Sequence, residues 1–307
     1  MTDGSGVPPR ILAGIDIGTL TCRLLVAELS ANGRLRELQS DRRILRLGQG
    51  VDRDRALRAD AMDRVIGTLR EWRQLIDRAK AEAATVVATS AVRDAANRDE
   101  FLHRVEHEAG FVVEIISGEE EARRTMLGIR SGLPAGISDM LALDIGGGST
   151  EFILDRPGSS PMIRSIDLGV VRLSERLLHG DPPTLEEVQW ARAWVRRDTA
   201  AAVAGMPRSS GTAFVGTAGT ITSLAAMAQR LPAYEPARIH NYRLTLDMVI
   251  ALERELLSRP KAHRRGMTGL EAGREDVIAA GAIILRTVME TLEEASWSAT
   301  SGCAKAS

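Results

Sequence analysis

The sequence is poor in aromatic residues, cysteine and lysine, and it has no long apolar run. Aromatic residues make up 3% of the 307 residues, so a core must consist mainly of aliphatic side chains and methionine. Two cysteines, Cys22 and Cys303, give no disulfide framework, which favours a reducing compartment. No apolar run reaches the ~18 residues of a membrane span, and the N-terminus has no apolar signal segment. We therefore expect a cytoplasmic protein without a membrane partner.

The charge narrows the classes of partner further. A formal net charge of −1 provides no broad basic field, so DNA and RNA are not expected partners. The lysines are Lys80, Lys261 and Lys305, and the remaining strongly basic residues are arginines. Arginine suits bidentate contacts with phosphate, although a GC-rich genome produces the same bias.

Two segments of the chain repeat one pattern. Residues 11–29, "ILAGIDIGTLTCRLLVAEL", and residues 140–155, "MLALDIGGGSTEFILD", each read as a strand, an Asp-Ile-Gly turn and a second strand. Strands and helices alternate after each segment, and 307 residues exceed one comfortable core. The sequence therefore predicts an α/β protein of two similar domains with a cleft between them.

Three consecutive glycines at the second turn predict an anion site. The pattern is neither a Walker loop nor a dinucleotide-binding turn, because "EFILD" continues as a strand instead of opening a helix. A hairpin tip of this kind can present successive backbone amides to a phosphate, and a merely tight hairpin is the alternative. The expected donors are Gly146, Gly147, Gly148, Ser149 and Thr150. Asp144, at the end of the preceding strand, is placed to hold a divalent metal.

The first turn has a similar set of residues. Asp16 precedes Thr19, Thr21 and Arg23, and it corresponds in position to Asp144. We expect the two aspartates to face each other across the cleft and to contact the metal, with Thr19 and Arg23 binding phosphate. An exposed strand arginine is the alternative for Arg23.

An acidic cluster begins the helix that follows Ser117. Ser117 and Glu120 have the spacing of a capping box. Glu119, Glu120 and Glu121 favour the helix dipole in this position, or one of them is a general base for water. The local sequence leaves both interpretations open.

Two later segments are also candidates for phosphate binding. "VGTAGTITSLA" (215–225) reads as a strand, a turn and a helix start, which suits a phosphate at Gly216, Thr217 and Gly219, and close packing of small residues is the alternative. A second, basic stretch either attracts a polyanion or is a solvated helix end; it contains Lys261, His263, Arg264 and Arg265.

Six motifs together resemble those of the exopolyphosphatase/guanosine pentaphosphate phosphohydrolase family over about residues 11–294. They are "DIGT…R" from Asp16, "ATSAVRDAAN" (88–97), "ISGEEEAR" (116–123), "DIGGGSTEF" (144–152), "GTAGT" (216–220) and "GREDVIAAG" (273–281). The resemblance implies two actin-like (ribonuclease H-like) domains of the acetate kinase, actin, heat-shock chaperone and sugar kinase superfamily. These would span residues 1–122 and 123–294, with the tail 295–307 returning to the first domain.

The resemblance also implies roles for individual residues. Glu121 would activate water, Asp144 would be the metal-associated carboxylate, and Glu151 would lie nearby. Residues 146–149 would cradle the terminal phosphate. The arginines that would line the phosphate channel are Arg23, Arg93 and Arg274.

The implied function is that of an exopolyphosphatase. It would use Mg²⁺ (or Mn²⁺) to release orthophosphate from the end of inorganic polyphosphate, as a homodimer. Guanosine pentaphosphate is the alternative substrate, and a non-catalytic polyphosphate- or nucleotide-binding protein is the alternative from another class.

The sequence departs from the family pattern at two places. Leu20 and Thr21 replace the Asn and Ser that commonly follow "DIGT" in the family, which weakens any inference about side-chain contacts from these two positions. "SWSATSGCAKAS" (296–307) lacks the strand and glycine-containing turn with which the family usually continues. We hypothesise a truncated or frame-altered end.

Overall fold

The computed structural model describes residues 8–134, 136–207, 209, 211–294 and 302–304. The chain divides into two units, Met1–Ser117 and Gly118–Ser307. The predicted boundary after residue 122 falls inside a helix, and the structure instead keeps that helix whole in the second unit. Among the described residues, no helix has the length and apolar character required to cross a membrane.

The first unit contains five strands and four helices in its described part. They are β1 (Arg10–Ile17), β2 (Thr21–Leu29), β3 (Leu35–Ile44), α1 (Val51–Asp54), α2 (Ala59–Arg78), β4 (Ala83–Ala88), α3 (Ser90–Asp94), α4 (Arg98–Ala109) and β5 (Val113–Ile115). The strand order is β3-β2-β1-β4-β5. β1, β2 and β3 form an antiparallel meander, whereas β4 and β5 continue the sheet in parallel with β1.

The core of the first unit lies on one face of this sheet. Ala13, Ile15 and Ile17 alternate along β1 and are buried with the apolar face of α2. The buried positions of α2 recur every three or four residues, as the helical periodicity predicts. They include Met62, Val65, Ile66, Leu69, Trp72 and Ile76.

The second unit contains the remaining elements. They are α5 (Gly118–Gly132), β6 (Met140–Ile145), β7 (Thr150–Asp155), β8 (Met162–Ile166), α6 (Val170–Leu177), α7 (Leu185–Val203), β9 (Ala213–Thr217), α8 (Ala218–Ala228), α9 (Pro236–Ile239), β10 (Tyr242–Arg243), α10 (Leu246–Leu257), α11 (Lys261–Arg264), α12 (Ile278–Glu294) and β11 (Gly302–Ala304). The strand order is β10-β11-β9-β6-β7-β8.

The repeat seen in the sequence is also a repeat of topology. β6, β7 and β8 form an antiparallel meander, and β9 pairs in parallel with β6 on its other side. This is the arrangement of β1, β2, β3 and β4 in the first unit. Asp16 and Asp144 therefore occupy equivalent positions, near the ends of β1 and β6.

The C-terminal tail differs from the expectation. Gly302–Ala304 form β11, which pairs in parallel with β9. This part of the tail is therefore a strand of the second unit, where we expected neither a strand nor an association with that unit. The rest of the predicted tail, 295–301 and 305–307, lies outside the described residues.

Helices cover both faces of the second sheet. Ala122 and Ile129 of α5 pack on Met140, Ala142 and Ile153, which belong to one face. α8 lies on the other face, because a Cβ added to Gly216 of β9 would come within 2.9 Å of Ile221.

Polar side chains at the starts of α7 and α4 have different roles. Thr184 and Glu187 form a capping box at the start of α7, with Glu187 N donating to Thr184 Oγ1 at 3.2 Å. The Asn97 side chain, at the start of α4, does not cap that helix. That amide instead binds the backbone of Leu57, accepting from its N–H at 2.8 Å and donating to its carbonyl at 3.0 Å.

Candidate active site

A row of polar side chains crosses the second sheet on the face that α5 covers. Thr217, Asp144, Glu151 and Ser165 are successive register partners on β9, β6, β7 and β8. Register partners project from the same face of a sheet. Ser165 Oγ donates to Glu151 Oε1 at 2.8 Å, and Glu151 is buried. The four side chains therefore form the polar border of an otherwise apolar face, which we call the polar row.

The first two turns of α5 lie on the polar row. A Cβ added to Gly118 would come within 2.2 Å of Ser165 Oγ and 3.8 Å of Glu151 Oε1, so the helix starts in direct contact with these residues. Two turns later, Thr125 Oγ1 donates to Asp144 Oδ2 at 3.4 Å. Only glycine fits at residue 118 without displacing Ser165.

This contact pattern distinguishes between the three glutamates of the acidic cluster. Glu121 follows Gly118 by three residues and precedes Thr125 by four, so the three share one face of α5. Its Oε2 atom is buried. Glu120 instead accepts from Arg123 Nη1 and Arg124 Nε, both at 2.8 Å, on the exposed side of the helix. Glu121 is thus the carboxylate of the cluster that lies over the polar row.

The glycine loop between β6 and β7 is held by the start of α6. Gly146 N donates to Ser149 O at 3.0 Å and closes the turn. The carbonyls of Gly146 and Gly147 accept from Val170 N at 3.0 Å and Val171 N at 2.8 Å. These bonds fix the loop against the helix.

Peptide geometry determines where the loop amides point. In a trans peptide the C=O of one residue and the N–H of the next point in opposite directions. The carbonyls of Gly146 and Gly147 point to α6, and that of Gly148 accepts from Arg172 Nε at 3.0 Å. The N–H groups of Gly147, Gly148 and Ser149 therefore point away from α6, to a common side. Successive amides with one direction form an anion-binding concavity.

Two residues next to the loop were not assigned correctly from the sequence. The Thr150 hydroxyl donates to the carbonyl of Leu168, so it supports the hairpin and does not add the predicted donor for an anion. Arg172, which is buried, was missed altogether. The segment "DLGVVRL" (167–173) could have indicated this role. After the glycine loop the sequence there again reads as a strand, a glycine and the start of a helix, as it does at β9 and α8.

The third loop packs closely, as its alternative interpretation predicted. Gly216, Thr217 and Gly219 are buried where β9 leads into α8, and Ala218 between them has φ 72°. A positive φ is strained for a residue other than glycine and is frequent at functional sites. A Cβ at Gly219 would lie 2.2 Å from Arg274 Nη2, so the glycine accommodates this buried guanidinium. The structure thus brings the predicted residues Gly219 and Arg274 together.

The corresponding residues of the first unit also gather at the end of β1. Asp16 and Arg23 are register partners on β1 and β2. Burial raises the pKa of Asp16, and the charge of Arg23 opposes this shift. The Thr19 and Ser90 hydroxyls share a buried hydrogen bond of 2.7 Å, and Ser90 was not identified from the sequence.

Two arginines that were predicted to bind phosphate or a polyanion donate hydrogen bonds to backbone carbonyls. Arg93, on α3, donates from Nη1 to the carbonyl of Ile116 at 2.7 Å. Arg264 is buried and donates to the carbonyls of Leu256 and Glu275 at 2.9 and 3.1 Å. Arg264 therefore stabilises the turn after α10, so the basic stretch does not offer all four of its side chains to a polyanion.

The donor set suits a hard divalent cation. Mg²⁺ usually binds one or two protein carboxylates and takes its remaining ligands from water and substrate phosphates. Asp144, with the Thr125 hydroxyl at 3.4 Å and Glu151 on the adjacent strand, offers such oxygen ligands. In the described ranges no group of three or more His, Cys, Asp or Glu side chains is arranged as a complete metal site. The arrangement thus fits a cation held partly by its substrate.

Comparison with known proteins relates this chain to one family of phosphatases. The family model described as "Ppx/GppA phosphatase family" matches residues 25–305. Exopolyphosphatase 2 of Mycobacterium tuberculosis is 36% identical over 293 residues, covering 92% of this chain and 91% of the relative. Guanosine-5'-triphosphate,3'-diphosphate pyrophosphatase of Aeromonas salmonicida is 31% identical and covers 92% of this chain, which spans 55% of that relative.

A solved structure matches over nearly the whole chain. The crystal structure of the Aquifex aeolicus member of the Ppx/GppA family has a TM-score of 0.79 and 31% identity, covering 97% of this chain and 94% of that chain. This similarity confirms the predicted class of fold, an actin-like α/β architecture in two domains.

Proposed function

The chain belongs to the Ppx/GppA phosphatase family, and we propose that it is an exopolyphosphatase, which releases orthophosphate from the end of inorganic polyphosphate. Family membership makes it a phosphoanhydride hydrolase. The observation that supports the proposal of an exopolyphosphatase is the position of Glu121 over the polar row, in the same unit as an amide-lined glycine loop.

The glycine loop binds the terminal phosphoryl group in this mechanism. The amides of Gly147, Gly148 and Ser149 donate to its non-bridging oxygens, with the Ser149 hydroxyl as a further donor. The loop is fixed beforehand by α6 and Arg172, so these donors need little reorganisation when charge shifts during the reaction. Binding and positioning are the main contributions that phosphoryl transfer demands from a protein.

Glu121 acts as the general base. Its carboxylate accepts a proton from a water molecule as the water oxygen forms a bond to the terminal phosphorus. The anhydride bond to the penultimate phosphate breaks in line with this attack, and its electron pair remains on the shortened chain. Glu151, which accepts from Ser165, is held beside Asp144 on the adjacent strand.

Cationic groups offset the charge of the substrate. Asp144 would hold Mg²⁺ (or Mn²⁺), which when bound neutralises phosphate oxygens. Arg274 and the β9–α8 loop of Gly216, Thr217 and Gly219 would bind the following phosphates of the chain.

Guanosine pentaphosphate is the second candidate substrate. The relative from Aeromonas salmonicida, named for a guanosine substrate, favours it. The same site would remove the 5'-terminal phosphate by the same chemistry, so the two candidates differ only in what binds beyond the first phosphates.

A comparison of substrates tests the proposal. Orthophosphate release is measured with Mg²⁺ from long-chain polyphosphate, tripolyphosphate, guanosine pentaphosphate and ATP. The proposal predicts the highest kcat/KM for long-chain polyphosphate. Higher kcat/KM for guanosine pentaphosphate would replace it with the second candidate, and binding of polyphosphate without release would favour a non-catalytic role.

The proposal also includes a cytoplasmic homodimer, for which light scattering should give twice the chain mass of 33.2 kDa.

A further inference from the structure

Two exposed histidines lie against each other on α4. His103 and His107 are one helical turn apart, and their ring centroids are separated by 4.1 Å with an interplanar angle of 49°. Neither imidazole has a hydrogen bond or an ion pair with another described residue. The ring nitrogens are therefore available to an external partner.

The remainder of α4 holds this pair in place. Phe101 and Val105 are buried on the opposite side of the helix and anchor it to the core of the first unit. Arg104 forms ion pairs with Glu108 of the same helix at 2.7 Å and with Asp63 of α2 at 2.9 Å. A ligand that binds both imidazoles would thus find them on a fixed backbone, with little ordering cost.

The chemistry of the pair favours one class of ligand. Histidines at positions i and i+4 of a helix can ligate one metal ion together. Neutral imidazole is a preferred ligand of Zn²⁺, Ni²⁺ and Cu²⁺, whereas Mg²⁺ prefers oxygen. Acidic residues outnumber arginines on α4, where Asp99, Glu100, Glu106 and Glu108 accompany Arg98 and Arg104. The helix surface therefore attracts a cation.

We infer that His103 and His107 form a binding site for one borderline divalent transition-metal ion. The two imidazole nitrogens are its protein ligands. Since no third His, Cys, Asp or Glu is in position among the described residues, water fills the other coordination positions. This site is separate in residues and in ligand chemistry from the polar row.

Calorimetric titration of the untagged full-length chain tests the inference. ZnCl₂, NiCl₂ and CuCl₂ are titrated separately into protein that is kept in excess MgCl₂. We expect one equivalent to bind, with affinity in the order Cu²⁺ above Ni²⁺ and Zn²⁺. His103→Ala and His107→Ala should each weaken binding by at least about tenfold, since even outer-shell partners of a metal contribute that much.

Matched controls use the isolated exposed histidines, His179 and His263. His179→Ala and His263→Ala should leave the metal affinity unchanged. Wild-type affinity in both α4 variants, or an equal loss in the controls, would overturn the inference, as would the absence of binding by the wild type. Cu²⁺ should also broaden the imidazole NMR signals of two of the five histidines in unmodified protein, and broadening of others would contradict the site.

Discussion

Gly169→Ala provides a test of how the glycine loop is packed. Gly169 has φ −134° and ψ 170°, which any residue can adopt, so alanine introduces no backbone strain. Its Cβ, however, would lie 2.3 Å from the carbonyl carbon and oxygen of Gly147 and 2.5 Å from Gly148 N. Ordinary contacts begin at about 3.4 Å, so the loop or α6 must move by roughly 1 Å (3.4 minus 2.3).

A displacement of this size changes the direction of the loop amides. A misplacement of about 1 Å can reduce the rate by ~10²-fold, which corresponds to about 2.7 kcal/mol of transition-state stabilisation. Overpacking should also lower the free energy of unfolding by about 1–3 kcal/mol. We therefore expect Gly169→Ala to lose roughly two orders of magnitude in kcat/KM for polyphosphate while it still folds.

Orthophosphate release and urea unfolding measure the two effects. Gly128→Ala is the matched control, because Gly128 lies in α5 of the same unit and a Cβ there meets nothing within 4 Å. This change should keep full activity and stabilise the helix by up to about 1 kcal/mol. Wild-type kcat/KM and unchanged stability in Gly169→Ala would refute the described packing of the loop.

Three further substitutions test other parts of the structure. Arg172→Met removes the donor to the Gly148 carbonyl, which should cost about 1–3 kcal/mol of unfolding free energy and lower kcat/KM in the same assays. Glu253→Ala leaves two arginines of α7 and α12 without their shared buried carboxylate and should cost about 3–5 kcal/mol in urea unfolding. Burial raises the pKa of Asp16, so its contribution to stability is present below the ordinary pKa of about 3.9 and is lost as pH rises through the folded-state pKa. Asp16→Asn should therefore raise the Tm at neutral pH, and an unchanged Tm would contradict that electrostatic assignment.

Local patterns in the sequence predicted the architecture well. The two Asp-Ile-Gly segments became equivalent hairpins, because strand alternation and turn glycines act over a few residues. The buried face of α2 and the capping box of α7 depend on equally local patterns, the helical spacing of apolar residues and the spacing of Thr184 and Glu187.

Contacts between distant segments could not be predicted in this way. Arg172 reaches the Gly148 carbonyl only because α6 packs against the loop, and no local pattern contains that packing. The local sequence left open which of the three glutamates at the start of α5 has a role besides the helix dipole, and their direction on the folded helix separates Glu121 from Glu120. Arg264 looked like a surface cation until the turn after α10 buried it. In each case tertiary packing determines the role of the side chain.

The most direct test of the central claim compares Glu121→Gln with Glu120→Gln. Both changes remove one carboxylate from the first turn of α5, but only Glu121 lies over the polar row, and Glu120 is paired with exposed arginines. Orthophosphate release from long-chain polyphosphate and polyphosphate binding are measured for both variants. We expect Glu121→Gln to lose at least about 10²-fold in kcat, within the usual range for a general base, while binding is retained. Glu120→Gln should keep nearly full activity. Full activity in Glu121→Gln, or an equal loss in both variants, would contradict the assignment of Glu121 as the base.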